Sequence, residues 1–229
     1  MAPAPAVARR ARLRRGLLAA LGLLLFVGFV ALGTWQVQRR AWKLDLIERV
    51  EQRAHAEPVA LPSPATWGDI SAGGHEYLAV ALEGRWKPEA TVLTQAVTEL
   101  GAGFWVMTPL VRGDGTQVWV NRGFVAQDRR ERWLAGEGAD AAAPQRVEGL
   151  LRLNEPGGGF LRANDPARQR WYSRDVVAMS RELGLRQAAP FFVDAGLPGR
   201  TGTPAGAPAD APQPGLTVIR FANSHLVYA

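Results

Sequence analysis

The sequence offers few residues for nucleophilic or metal chemistry. It has no cysteine, which excludes disulfides, thiolate metal sites, cysteine nucleophiles and c-type haem attachment. Its three histidines, His55, His75 and His225, lie far apart, and none has HxxxH or HExxH spacing. No G-x-S-x-G elbow is present, and Gly157-Gly158-Gly159 is followed by Phe-Leu-Arg, so it reads as a turn and not as a phosphate loop. Two single residues remain as candidates. His225 carries an imidazole that can ligate iron, with a solvated or hydrogen-bonded side chain as the plainer reading. Arg122 sits in Val120-Asn121-Arg122-Gly123, and its fork suits a carboxylate. That carboxylate would belong to a ligand or a partner, or, as an internal ion pair, to Asp165 or Asp175.

These candidates have to be placed by two kinds of element. The first is residues 16–34, an uncharged run that as a helix spans about 28 Å, close to the ~30 Å core of a bilayer. Its Leu, Phe and Val favour insertion by about 3–6 kcal/mol. Trp35 follows, at the usual depth of an interfacial aromatic, and helical spacing continues through Trp42, Leu46 and Val50. The pattern predicts an Arg-rich cytoplasmic tail (1–15), a transmembrane helix (16–35) and a juxtamembrane amphipathic helix (36–55), with Trp35, Arg39, Trp42 and Lys43 at the membrane interface. Trp35 and Trp42 serve either as bilayer anchors or as a face that docks the helix on the following domain. The positive-inside rule exports everything after the helix. A signal peptide cleaved near Ala31-Leu32-Gly33 is the competing reading, opposed by the length and periodicity of the run. A bacterial plasma membrane is favoured over a mitochondrial presequence because the tail lacks Ser.

The second element is an exported domain at 56–221. The 229-residue chain carries 27 Lys/Arg and 21 Asp/Glu. Residues 1–43 hold eight of the basic residues and no acid, so the remainder has a net charge of −2 and does not suit nucleic acid. After a Pro/Gly-punctuated stretch at 56–75, alternation predicts strands from residue 76 to about 86 and at 91–97, 104–111 and 117–125. Gly101 and Gly103 are placed in a turn, and Gly113-Asp114-Gly115 is a hairpin turn. Residues 127–145 read as an exposed loop. Further strands are predicted at 146–153, 190–195 and 216–221, with a Pro/Gly/Ala-rich loop at 198–215. One helix is predicted over 173–183, capped by Ser173, with Val176, Met179 and Leu183 on one face. The expected fold class is an α+β membrane protein whose domain is mainly antiparallel β, barrel- or sandwich-like. Trp86, Trp105, Trp119 and Trp171 are expected in the sheet core or at its ends, with a stacking platform for a porphyrin as the alternative.

From Gly33 to the last residue, the order of short motifs resembles the Surfeit locus protein 1 family. The motifs are Gly33-Thr34-Trp35-Gln36 with Arg39 and Trp42-Lys43, then Gly84-Arg85-Trp86, Thr108-Pro109-Leu110 and Val120-Asn121-Arg122-Gly123-Phe124. Next come Val147-x-Gly149-x-x-Arg152, Asn164-Asp165-Pro166, Trp171-Tyr172-Ser173-Arg174-Asp175 and Asn223-Ser224-His225-Leu226-x-Tyr228-Ala229. The resemblance implies a non-enzymatic assembly factor for haem-copper cytochrome c oxidase. Its domain would be periplasmic, its partners the bilayer, the oxidase catalytic subunit and the haem a synthesis machinery, and its transient cargo haem a. It makes His225 the candidate haem ligand and Arg122 a candidate propionate contact. A haem-independent scaffold for an assembly intermediate is the alternative within that class, and a signal-anchored periplasmic enzyme the alternative outside it. Family members are multi-pass. Residues 222–229 read as the start of a second membrane segment, truncated at Ala229.

Overall fold

The computed structural model describes residues 5–135, 143–159, 161–199 and 211–216. Two compact units divide at Arg49/Val50. The first is most of helix α1, Pro5–Ala54, which runs without interruption because no proline follows Pro5 within it. Its apolar stretch is exposed, and by length and composition it is the one described helix able to cross a membrane. Trp35 and Trp42 are exposed, and the Arg39 guanidinium lies 5.0 Å from the centre of the Trp35 ring.

The second unit is built on seven strands: β1 Val59–Ala60, β2 Ala79–Trp86, β3 Val92–Thr98, β4 Gly101–Val111, β5 Gln117–Ala126, β6 Gln145–Leu153 and β7 Ala188–Ala195. The sheet order is β1-β2-β6-β7-β5-β4-β3, and an added β2–β4 pairing at Arg85↔Val111 and Trp86↔Leu110 closes β2, β6, β7, β5 and β4 into a five-stranded barrel. The pairings are antiparallel except β1–β2 and β5–β7. Val80, Leu82, Leu110, Val118, Val120, Leu151, Phe191 and Val193 fill the barrel, with no exposure above a few per cent. Closure leaves β2, β6, β7 and β5 without a free edge, and β3 remains as an outer strand.

A second core forms outside the barrel. Trp119, Met107 and Phe192 meet Val176 and Met179 of the short helix α3, Val176–Glu182. Burying those two helix side chains contributes about 3–6 kcal/mol, which holds a helix too short to stand alone. Trp119 Nε1 also donates to Ser180 Oγ at 2.8 Å.

Several sequence expectations are corrected. The helix begins at Val176, not at 173, and its cap is Asp175, which accepts from the Ala178 amide. Ser173 is taken by the preceding loop: its hydroxyl accepts from the Gly158 amide and from Asn164 Nδ2. Leu183 lies past the helix end and is exposed. Tyr77 has φ +61°, so β2 starts three residues later than the alternation suggests. Gly101 and Gly103 are in β4, and the turn is at 99–100. The stretch at 127–145 is not only loop: after a 3-10 turn at Gln127–Arg129, helix α2, Arg130–Leu134, buries Trp133 against Leu93, Phe104, Val106 and Val125. Within 56–75, β1, a 3-10 turn at Pro64–Asp69 and a single helical turn at Ala72–His75 replace irregular chain. The strand expected at 216–221 and the segment 222–229 lie outside the described residues, apart from Leu216.

Candidate functional site

Arg122 is held at the end of the barrel by a local irregularity in β5. Met107 pairs with Asn121 and Trp105 with Phe124, so Arg122 and Gly123 together face the single residue Val106. This is a β-bulge, and Gly123 at φ +129° supplies the backbone it needs. The Asn121 Oδ1 accepts from the Gly123 amide at 3.1 Å and fixes the bulge from its other side. A Cβ on Gly123 would lie 2.3 Å from Gln213 O, because the returning chain pairs there with Phe124 through two backbone hydrogen bonds. Arg122 alternates with Val118 and Val120, which point into the barrel. Its guanidinium lies over two indoles, 4.8 Å from the Trp86 ring centre and 4.9 Å from that of Trp133. Burial pushes its pKa down to about 10, so the group stays charged at neutral pH. Asp165 and Asp175, the suggested internal partners, are engaged locally as caps of a 3-10 turn and of α3.

Asn121 connects this bulge to a charged cluster that the motifs contain but do not announce. Its Nδ2 donates to Asp194 Oδ1 at 2.8 Å. Asp194, in the apolar strand β7, is 1% exposed and receives two arginines. Arg174 Nη1 lies 2.8 and 3.2 Å from its two oxygens, and Arg152 Nη1 lies 3.0 Å from Oδ2. Arg174 also grips Glu155 through Nε and Nη2, while Arg152 approaches Glu155 and Glu76 at 3.5 and 3.6 Å. Both guanidinium groups lie over aromatic rings, Arg152 on Tyr77 and Arg174 on Phe192. Burial alone would lower the Arg174 pKa, but Asp194 and Glu155 outweigh it and hold it above the ordinary value. Burial raises the Tyr77 phenol, against the opposing pull of Arg152. A cavity of about 300 Å³ opens beside Arg152 and Arg174, flanked by Tyr77 and Trp105, with Leu216 in its lining.

The family motifs meet here. Gly149 pairs across from Ala195, and its missing Cβ would stand 2.1 Å from Asp194 O, so only glycine lets β6 lie this close to β7. Three residues on, Arg152 reaches the Asp194 carboxylate. Asn164 binds the Tyr172 and Ser173 amides, and Asn154 bridges Asp175 to the Val177 amide, which fastens the segment carrying Arg174. Sequence reasoning singled out Arg122 and passed over Arg152, Arg174 and Asp194 as site residues. The signal for them was a lone carboxylate in the apolar run Pro190-Phe191-Phe192-Val193-Asp194-Ala195, which requires a buried cation. His225 lies outside the described residues, as does the side chain of Lys43.

The family model described as "SURF1 family" matches residues 23–229. The chain belongs to the SURF1 family. Surfeit locus protein 1 of Homo sapiens is 34% identical over 225 residues, covering 90% of this chain and 69% of the relative. That of Xenopus tropicalis is 32% identical over 223 residues, covering 90% and 68%. A SURF1-like protein of Monosiga brevicollis is 33% identical over 243 residues, covering all of this chain and 86% of the relative. In SURF1 terms, the N-R-G motif is the bulge that places Arg122. The V-x-G-x-x-R and W-Y-S-R-D motifs deliver the two arginines to Asp194.

Proposed function

We propose that this SURF1-family chain is a membrane-anchored assembly factor for a haem-copper cytochrome c oxidase, without catalytic activity of its own. It works from the outer face of a bacterial plasma membrane, with its N-terminus in the cytoplasm and its barrel in the periplasm. Its task is to assist the delivery or insertion of haem a into the catalytic subunit. The observation that carries the reading is the family match from residue 23 to 229, which takes in residues 23–34 of the apolar stretch, the whole barrel and the His225 motif. Five arginines before the apolar stretch support the orientation. Trp35, Arg39, Trp42 and Lys43 sit at the bilayer surface. His225 is the candidate ligand of the haem iron in transit, since a neutral imidazole supplies an axial nitrogen.

A haem-independent scaffold is a second reading, favoured by Arg122. Its guanidinium packs near both the Trp86 and Trp133 rings, contacts that tie β5 to β2 and α2 without any ligand.

Deletion of the gene tests the reading. The a-type haem absorption and the activity of the membrane oxidase should both fall, and the intact gene should restore them. Unchanged oxidase in the deletion strain would refute it. Complementation with His225→Ala separates the two readings: the delivery role predicts failure and loss of co-purifying haem, the scaffold role predicts full rescue.

A further inference from the structure

Apart from the barrel ends, one surface stands out by charge. Two adjoining cavities of about 430 and 470 Å³ share Gln95, Phe104, Gln127 and Tyr172 along the outer strand β3. Arg130, Arg162, Arg168 and Arg170 line them, and among the described residues no Asp or Glu does. On a domain with an excess of acid this is a concentrated positive surface. Arg168 pairs with Asp165, whereas Arg130, Arg162 and Arg170 have no carboxylate partner among the described residues. Arg162 lies over Tyr172 and Arg130 over Phe104, which leaves guanidinium edges available above an aromatic floor.

Among the described residues, the same groove has an open strand edge. The Gln95 amide points away from β4 and donates to Trp171 O, so Trp171 covers the edge only as far as Gln95. Alternation then turns the Val97 amide to the same outer side. The Val97 side chain is 86% exposed. An extended chain can therefore continue the sheet next to Gln95–Thr98 while its acidic side chains meet the arginines.

We infer that this groove binds an extended acidic segment of a partner protein by strand addition to β3. Backbone pairing at Val97 gives the grip, and Arg130, Arg162 and Arg170 select Asp- and Glu-bearing chains. The inference does not depend on haem being handled, and an oxidase subunit or another assembly protein meets the description equally.

The test uses the full chain in non-ionic detergent micelles and a fluorescein-labelled nine-residue peptide of alternating Glu and Val, followed by fluorescence anisotropy. The peptide should bind, binding should weaken with added salt, and a Lys-Val peptide should not bind. The Arg130→Gln/Arg162→Gln variant should weaken binding at least tenfold. Val97→Pro should do the same, since it removes one outward N–H and leaves the β3–β4 ladder intact. Unchanged melting temperatures show that both variants fold, and a shift of the Val97 amide resonance on titration reads strand addition without any variant. Equal binding of the Lys-Val peptide, or equal affinity in both variants with no Val97 shift, overturns the inference. So does binding of phosphatidylglycerol in mixed micelles when the acidic peptide does not bind.

Discussion

Replacing Asp194 by alanine should destabilise the barrel more than any surface substitution. The carboxylate is 1% exposed, and its two arginines are only 12% and 13% exposed. Removing it strands buried cations, which ordinarily costs about 3–5 kcal/mol. The lower end applies here, because Arg174 keeps Glu155 and Arg152 keeps weaker contacts with Glu76 and Glu155. About 3 kcal/mol in a domain of this size lowers Tm by roughly 6–12 °C. Thermal unfolding of the full chain, followed by tryptophan fluorescence, measures this. Asp194→Asn keeps an oxygen for Asn121 Nδ2 but loses the charge, so it should fall between wild type and alanine. Arg146→Ala is the control: its pairs with Glu83 and Glu148 are solvent-exposed, and Tm should stay where it was. If Asp194→Ala melts within about 2 °C of wild type, the cluster is not holding β6, β7 and the Arg174 segment together.

Three further outcomes follow from the same geometry. Gly123→Ala meets both a positive φ and Gln213 O, so it should release the 211–216 return, seen as faster amide exchange at Phe124 and Gln213; unchanged protection there contradicts the bulge assignment. Arg122→Ala removes two ring contacts worth about 0.5–2 kcal/mol each. It should lower Tm, with Arg122→Lys intermediate; an unchanged Tm together with failed oxidase assembly would move Arg122 from structure to function. The Thr116 hydroxyl and amide hold the Asp114 carboxyl below its ordinary 3.8. Its contribution to the hairpin is complete above 3.8 and lost as pH falls through the lower folded value, so a Thr116 amide titration with a midpoint at or above 3.8 contradicts the turn geometry.

Much of the fold was legible because its strands are locally patterned. Alternation located β2 to β7 within a few residues, and the Gly113-Asp114-Gly115 hairpin fixed the β4–β5 pair. Closure was not legible. The parallel β5–β7 ladder joins residues about 70 apart, and β2–β4 rests on two residue pairs, so neither leaves a local trace. Helix α2 was hidden because its one buried side chain, Trp133, sits among charged neighbours and lacks an apolar period. Ser173 was read as the cap in place of Asp175 because a capping pattern cannot tell which hydroxyl a distant loop will claim. The Asp194 cluster was missed for a related reason: Glu76, Arg152, Glu155, Arg174 and Asp194 are brought together from several separate segments.

The roles found for the motif residues change what the family signature means. Asn121 and Gly123 build a bulge, Gly149 permits a strand contact, and Asn164, Ser173 and Asp175 fasten a loop. Arg152 and Arg174 neutralise a buried carboxylate. Within the barrel, then, the signature reports how this fold is held and says little about a reaction. Residues that the fold does not use are better candidates for function. These are Trp35 and Trp42, exposed on α1, and the arginines along β3 that lack carboxylate partners among the described residues. Substitutions at the first set should weaken the fold and lose function as a consequence. Substitutions at the second should lose function with Tm unchanged, and that contrast separates the barrel's upkeep from its task.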